Sequence, residues 1–278
     1  AGSCNCSLSS TTNVRGILIQ TGYTGTITQG SNQIEVGSLG FTQEGGVFNS
    51  GANVTVSGGF SISGGTYSAS ASLNLSGTVN IGSAYFIANS SQVNISNSLT
   101  NTLDGITFND LTLSGSQTVS ITNSVIVNGN LIIQGLTAIN GAPLQVKGHV
   151  TNSVSGWSGN SKIVFIGSTA VQNILGTSQF FGVSLEINKT AGEVRLNNNL
   201  TLVGSTTDLI LTQGTLSNQS NYNLTLPRDF VRTAGTFLPG SGTVSFTGPL
   251  VSLSNITLGR TTFNNESQII TIGYGVYI

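Results

Sequence analysis

The feature that most constrains this chain is a segment that recurs after 19 residues without a gap. Residues 45–58 read GGVFNSGANVTVSG and residues 64–77 read GGTYSASASLNLSG, so aromatic, apolar and glycine positions coincide. A third copy at residues 234–248 carries one extra residue. In a β-solenoid each core position recurs once per coil, which unrelated sandwich strands do not reproduce. The repeat therefore predicts an all-β fold, a right-handed parallel β-helix (β-solenoid) with coils of about 19 residues.

A second pattern extends the same architecture through the rest of the chain. Residues 117–127, 192–202 and 268–278 align without gaps as two short alternating strands around a polar or glycine-containing step. The strands are rich in β-branched residues, and Gly, Asn and Ser separate them. This arrangement is typical of short strands joined by tight corners.

Stacked coils bring equivalent side chains about 4.8 Å apart. We therefore expect Val54 to stack on Leu73 and Phe48 on Tyr67. At this spacing ladders of Asn, Ser and Thr form hydrogen bonds, whereas like charges repel each other. The composition agrees with stacking, because only 6% of the residues are charged and 37% are hydrophobic.

The charge balance excludes several classes of partner. Eight Lys and Arg against nine Asp and Glu leave a net charge of −1, whereas nucleic acids and acidic membranes are bound by clustered positive charge. No run approaches the roughly 18–20 consecutive apolar residues of a membrane-spanning helix. We expect no nucleic-acid partner and no transmembrane segment.

One part of the chain resembles a known class of repeat. Residues 181–226 and the segments that follow contain LEINKTAGEVRLNNNLTLVG, LILTQGTLSN, YNLTL, AGTFLPGSGTVSFTG and TTFNNES. They resemble the β-solenoid repeats of large secreted bacterial surface proteins and adhesins. The resemblance covers about residues 45–278 and is closest from residue 181 onward. It implies a stalk or surface architecture outside the cell and brings no shared catalytic residues.

The pattern divides the chain into four parts. We predict a flexible N-terminal tail at residues 1–14, a first solenoid section at 15–135, an insertion or join at 136–160, and a second solenoid section at 161–278. The join is predicted because residues 136–160 interrupt the repeat and hold the only histidine and tryptophan of the chain.

The two cysteines, Cys4 and Cys6, both lie in the polar tail. The chain contains no Met and begins with small residues, as a signal peptidase would leave it, so we expect a secreted protein, extracellular or at the cell surface. On an extended segment the two thiols face one side, where a bridge between them would close a strained ring. The sharper hypothesis is a disulfide to a neighbouring subunit. The alternative is a pair of unpaired tail thiols.

Candidate residues for catalysis are few. Polysaccharide chemistry on a β-helix needs two or more carboxylates on one face, or carboxylate-bound Ca²⁺ near a basic residue. The best cluster is Asp208 with Arg228, Asp229 and Arg232, for which a surface ion pair is the favoured interpretation. We therefore predict no catalytic, cofactor-binding or metal-binding residue and expect no enzyme.

Two single residues admit a functional interpretation. His149 has no second His or Cys to complete a metal site, so a solvated loop histidine is expected. Trp157 is expected to pack over the join, and the alternative is stacking on a sugar ring.

Asn-x-Ser/Thr sequons mark candidate N-glycosylation sites. A chain this rich in Asn, Ser and Thr contains many by chance, so the pattern does not demand glycosylation. The candidates are Asn53, Asn74, Asn89, Asn94, Asn188, Asn199, Asn218, Asn223, Asn255 and Asn265.

The last residues of the sequence suggest a function. Residues 268–278 form a repeat strand pair, and the sequence stops where the two other copies continue. This predicts an uncapped assembly edge, made of Gln268, Ile270, Ile272, Val276 and Ile278. We expect a structural subunit of an extracellular filament that stacks end to end with itself as a head-to-tail homopolymer. The alternatives are a carbohydrate-binding or carbohydrate-active β-helix protein, with surface glycans as partners, and a stalk fragment of a larger adhesin.

Overall fold

The structure, a computed structural model, describes residues 2–82, 85–176, 179–218, 221–264 and 269–278. The described residues form 33 β-strands and no α-helix. The strands are β1 (Cys6–Ser7), β2 (Thr12–Ile19), β3 (Thr26–Thr28), β4 (Ile34–Ser50), β5 (Val54–Val56), β6 (Phe60–Ala69), β7 (Leu73–Leu75), β8 (Val79–Gly82), β9 (Phe86–Ile87), β10 (Gln92–Ser96), β11 (Thr100–Asp104), β12 (Thr107–Phe108), β13 (Asp110–Ser114), β14 (Thr118–Ile121), β15 (Val125–Val127), β16 (Leu131–Ile133), β17 (Ala138–Gly141), β18 (Leu144–Val146), β19 (Val150–Asn152), β20 (Ser158–Gly159), β21 (Lys162–Phe165), β22 (Val171–Gly176), β23 (Gln179–Phe181), β24 (Ser184–Leu196), β25 (Leu200–Val203), β26 (Leu209–Ser217), β27 (Leu224–Leu226), β28 (Phe230–Arg232), β29 (Thr236–Leu238), β30 (Val244–Phe246), β31 (Leu250–Leu253), β32 (Thr261–Phe263) and β33 (Ile269–Ile272).

The strands pair in parallel across coils roughly 20 residues apart, and the chain makes about 13 turns. Val54 is registered with Leu73 and Phe48 with Tyr67. The rings of Phe48 and Tyr67 lie nearly parallel, with centroids 5.2 Å apart and an interplanar angle of 14°. The β-solenoid predicted from the repeat, and the two stacked pairs, are therefore confirmed.

Each coil contributes three short strands in a fixed order, and equivalent strands form three ladders. In the first compact unit, Ala1–Gly129 with Gln134–Leu136 and Asn140–Ala142, one ladder joins β1, β3, β4, β6 and β9. A second joins β4, β5, β7, β10 and β13. A third joins β2, β4, β6, β8, β11 and β14. The long strands β4 and β6 bend around corners and so serve more than one ladder.

The second unit, Asn130–Ile133 with Thr137–Ile139 and Pro143–Ile278, repeats the three ladders. One joins β18, β21, β24, β26, β28, β31 and β33. Another joins β16, β19, β22, β24, β26 and β29. The third joins β23, β25, β27, β30 and β32.

Alternate residues of each strand face the interior, which gives the buried rows their period of two. In the first unit the interior holds an aromatic stack in which Tyr67 lies between Phe48 and Phe86, with centroid distances of 5.2 and 5.8 Å. Phe41 and Phe60 form a second stacked pair at 5.3 Å. Each buried aromatic pair adds about 0.5–1.5 kcal/mol beyond the burial of its surface, so these rows stabilise the coils in register.

The corners depend on residues that tolerate a left-handed backbone. Gly176 has a φ of 84°, and a Cβ there would overlap the carbonyl oxygen of Asn152 one coil earlier. Asn corners use the side chain instead: the Asn199 Oδ1 accepts the backbone N–H of Asn223 at 2.8 Å, and the Asn223 Oδ1 accepts that of Thr243 at 3.0 Å. Each coil therefore helps to satisfy the corner of the next.

The parts predicted at the tail and the join also carry strands. Within the tail, β1 pairs with β3, and the backbone N–H of Leu8 donates to the carbonyl of Thr28 at 3.0 Å. The stretch 136–160 holds β17 to β20, of which β18 pairs with β21 and β19 with β22. The division of the chain at residues 14, 135 and 160 stays a prediction.

Candidate functional site

The last coil carries apolar side chains at positions that face the interior in earlier coils. β33 pairs with β31 in a register that matches Ile270 with Val251 and Ile272 with Leu253. Val251 and Leu253 are buried, whereas Ile270 is 36% and Ile272 59% exposed. Because registered residues point to the same side of a parallel ladder, the two isoleucines continue an interior row that no described residue covers.

Val276 and Ile278 complete this surface. Tyr277 forms a parallel bridge with Thr257, its N–H donating to the Ile256 carbonyl and its carbonyl accepting from Leu258 N–H, both at 2.9 Å. Ile256 and Leu258 are buried on either side of Thr257, so Val276 and Ile278 occupy the next interior positions. Ile278 is 63% exposed. We call Ile270, Ile272, Val276 and Ile278 the C-terminal apolar face; Gln268, the fifth predicted edge residue, lies outside the described residues.

Both cysteines lie in the first coil and are exposed free thiols. Cys6 is registered with Ile27, and Ile27 with the buried Phe48, so the Cys6 side chain occupies an interior row. The Tyr23 hydroxyl donates to the Cys4 carbonyl at 2.7 Å. Desolvation, and then the neighbouring Cys6 thiol, raise the pKa of Tyr23.

A depression lies beside Cys6. It has a volume of about 490 Å³ and is lined by Cys6, Leu18, Ile19, Tyr23, Ile27 and neighbouring turn residues. Leu18 is exposed, while Ile19 is buried at the base. We call this depression the N-terminal hollow. Its lining is mixed, with Leu18, Ile19 and Ile27 beside the polar Gln20 and Thr21.

The predicted charged cluster forms in part. The Arg228 Nε lies 3.0 Å from the Asp208 Oδ1, and one terminal guanidinium nitrogen of Arg228 lies 3.7 Å from the Asp229 Oδ2. The Arg228–Asp208 contact has the distance but not the angle of a hydrogen bond, so it is an ion pair. Burial raises the pKa of Asp208, and the charge of Arg228 opposes the rise. Arg232 turns away and donates to the carbonyls of Gly235 and Asn255.

A groove of about 500 Å³ adjoins this cluster. Its walls include Arg228, Asp229, Pro227, Pro249 and Ile269, and none of the lining residues is aromatic. The Asp229 Oδ1 also accepts the backbone N–H of Ser252 at 2.8 Å. The Asp208 carboxylate is thus paired with Arg228, and the Asp229 carboxylate with the backbone of the next coil. Both contacts connect neighbouring coils. The groove has the size, but not the aromatic platform, of a sugar-binding site.

The structure corrects the expectation for His149 and excludes the sugar-stacking alternative for Trp157. The His149 Nδ1 accepts the backbone N–H of Asn173 at 3.0 Å, so the imidazole is half-buried between coils rather than a solvated loop group. Trp157 is fully buried, so its ring is core and cannot stack on a sugar.

Within the described ranges no group of three or more His, Cys, Asp or Glu is placed to hold a metal ion.

A buried lysine is the residue that sequence reasoning missed. Lys189 is 1% exposed, and its Nζ donates to the Gln172 Oε1 at 2.6 Å. The Gln172 Nε2 in turn donates to the carbonyls of Val146 and Gly148 at 3.0 and 2.7 Å. Burial lowers the pKa of Lys189. The sequence does contain a signal for this burial. Leu185 and Ile187 are alternate, interior residues of β24, and Lys189 is the next position in that alternation.

The sequons differ in how available their side chains are. Asn218 is buried, and its amide pairs with both backbone groups of Tyr222. The Asn94 Nδ2 donates to the Asn74 Oδ1 at 2.7 Å, and both residues are half-buried, as is Asn188. Asn265 lies outside the described residues. The exposed candidates are Asn53, Asn89, Asn199, Asn223 and Asn255.

Comparison with family models, curated proteins and solved structures finds no match. The β-solenoid therefore rests on the geometry of this chain. The resemblance of its repeats to those of bacterial adhesins stays a prediction. In the part of the chain that the structure describes, no helix has the length and apolar character to cross a membrane.

Proposed function

We propose that this protein is a structural subunit of an extracellular filament that assembles by end-to-end stacking of β-solenoids. The observation that carries the proposal is the C-terminal apolar face, where four interior-row side chains are only partly covered. β33 is registered with β31 along one edge, and its other edge has no partner among the described strands. An uncovered edge with apolar interior positions is suited to receive another coil.

The free energies of burial and of association indicate which interactions an end-to-end contact needs. Burying an exposed isoleucine contributes about 1.5–3 kcal/mol, whereas bringing two proteins together costs on the order of 4–15 kcal/mol. The apolar face alone is therefore marginal. Backbone hydrogen bonds along the strand edges must add to it, which requires a partner whose coil has the same dimensions. A second copy of this chain meets that condition.

The polarity of the ladders favours a filament over a closed dimer. Parallel pairing is preserved only when the last coil of one copy meets the first coil of another in the same direction. Such a contact joins two different surfaces and leaves one of each free, so it propagates. The low charge supports close stacking, since 6% charged residues place few like charges opposite one another. The extracellular location rests on the resemblance to secreted bacterial surface proteins.

The groove beside Arg228 favours a second candidate, a carbohydrate-binding or carbohydrate-active β-helix. Its chemistry would depend on Asp208 and Asp229, because these are its neighbouring carboxylates. A polysaccharide-cleaving activity that is lost in the D208N/D229N double variant would establish this candidate. A stalk segment of a larger adhesin is the third candidate, in which a further coil of the same protein covers the C-terminal apolar face.

Electron microscopy and sedimentation of the purified 278-residue chain test the proposal. We expect filaments whose subunits stack end to end. The I270D/I272D double variant should remain dispersed, because it places two charges on the apolar face. T271D is the matched control, since Thr271 lies between them on the outward side of β33, and it should still assemble. A wild-type chain that stays monomeric at high concentration, or a double variant that assembles like wild type, would overturn the proposal.

A further inference from the structure

The first and last coils of the subunit differ in their cysteine content, and this difference bears on the role of the thiols. Cys4 and Cys6 are the only cysteines of the chain, and both lie in the first coil. The C-terminal apolar face contains none. Among the residues of this sequence, a disulfide between copies can therefore join only the first coils of two copies.

We propose that the N-terminal hollow receives the C-terminal apolar face of a second copy, and that Cys6 is a packing residue of this contact rather than a covalent link. The inference rests on the proposed function. It commits to β33 of the second copy as the occupant of the strand edge beside β1. The predicted disulfide from Cys4 or Cys6 to a neighbouring subunit stays a prediction, to which this proposal is the alternative.

The register of Cys6 is the first support. Cys6, Ile27 and Phe48 are successive members of one ladder row, and Phe48 is buried in the aromatic stack. Cys6 is therefore the outermost member of an interior row and is exposed because no described coil covers it. A thiol in an apolar setting behaves as a small hydrophobic group, so it fits beneath an aliphatic side chain.

The shape of the hollow is the second support. Its volume of about 490 Å³ is open and is bounded by Ile19, Ile27 and Cys6, together with polar turn residues such as Gln20 and Thr21. The isoleucines of β33 lie at a strand edge and are also partly exposed. Both surfaces are edges of parallel ladders whose rungs are about 4.8 Å apart. In the proposed contact, the isoleucines of the C-terminal apolar face of one copy pack into the N-terminal hollow of the other.

Thiol labelling tests the inference. The C4S variant leaves Cys6 as the single thiol, and its reaction with a maleimide is timed in dispersed subunits and in filaments. We expect the rate to fall about tenfold or more on assembly, because a packed thiol reacts only after local opening. The matched control is C4S/C6S/S7C, whose thiol lies on the outward side of β1 beside Thr28. Its rate should change little.

Prior labelling gives an independent reading. Subunits alkylated at Cys6 should fail to assemble, whereas those alkylated at residue 7 of the control should assemble, and reducing agent should leave wild-type filaments intact. Filaments that form while Cys6 reacts at the dispersed-subunit rate would overturn this inference and leave the proposed function standing. A chain that forms no filaments under any of these conditions would overturn both.

Discussion

Ile272 is registered directly against Leu253 in a parallel ladder, yet Leu253 is fully buried and Ile272 is 59% exposed. The two residues have the same position in successive coils and similar side chains. They differ only in whether another coil covers them. A comparison of the two residues therefore measures how much stability one covering coil adds at an interior position.

The first prediction concerns the stability of this pair. L253A should lower the free energy of unfolding by about 2–5 kcal/mol, because it leaves a cavity in a packed interior. I272A should lower it by less than about 1 kcal/mol in dispersed subunits, since a largely exposed side chain loses few contacts. Urea titration of both variants at low concentration checks this. Equal losses would show that Ile272 is already covered in solution.

The second prediction concerns a glycine corner. Gly176 and Gly156 have φ values of 84° and 82°, but a Cβ at Gly176 would overlap the Asn152 carbonyl, whereas one at Gly156 would meet open space. G156A should therefore lose about 1–2 kcal/mol of unfolding free energy from backbone strain alone. G176A should lose at least about 1–3 kcal/mol more, because the overlap forces the coils apart. Thermal unfolding of the two variants compares these losses, and similar values would contradict the close approach.

The third prediction concerns pH. Burial lowers the pKa of Lys189 below its ordinary value of 10.5, so in the range just below that value the unfolded chain binds a proton that the folded chain does not. Stability should therefore rise with pH through this range. In K189M the rise should be smaller, because the titrating group is gone. Urea unfolding at a series of alkaline pH values measures the slope.

K162M is the control for that experiment, because Lys162 is a partly exposed lysine paired with Glu186 at 2.6 Å. Its pH profile should keep the wild-type rise. An unchanged slope in K189M would mean that the buried lysine does not titrate differently in the two states.

The fourth prediction concerns modification. If the chain is produced in a host that glycosylates sequons, Asn218 should stay unmodified, because its amide is buried and paired with Tyr222. Asn94 should stay largely unmodified, since its Nδ2 is committed to Asn74. Asn199 and Asn223 are exposed and use only Oδ1 in the corner contact, so they are the sites expected to carry glycan. Peptide mass spectrometry decides, and a glycan on Asn218 would contradict the corner geometry.

Much of the fold follows from the sequence because stacked coils repeat their interior positions. The 19-residue offset is sufficient to pair Phe48 with Tyr67 and Val54 with Leu73. The rest depends on information that side-chain patterns do not hold. The polar residues around Cys6 pair with β3 through their backbone, which almost any residue can supply. Trp157 is isolated among small residues, so its expected packing over the join rests on the aromatic ring itself and not on a local pattern.

The candidate site was predictable to a similar extent. The alternating pattern places Ile270, Ile272, Val276 and Ile278 on one side of the last strands, and the register assigns that side to the interior row. The N-terminal hollow was not predictable, because its wall joins Cys6 to Ile19 and Tyr23 through coil stacking rather than through a motif.

The constant offset between paired strands has a consequence for how the chain acquires its structure. Every ladder contact described above joins residues about one coil apart, so the loop to be closed for each new pairing stays near 20 residues however many coils precede it. All-β proteins usually fold slowly because their pairings span long stretches of chain. Here a nucleus of a few coils can form anywhere and grow by one coil at a time. A chain that emerges gradually during its synthesis can therefore fold in the order in which it appears, each finished coil acting as the template for the next.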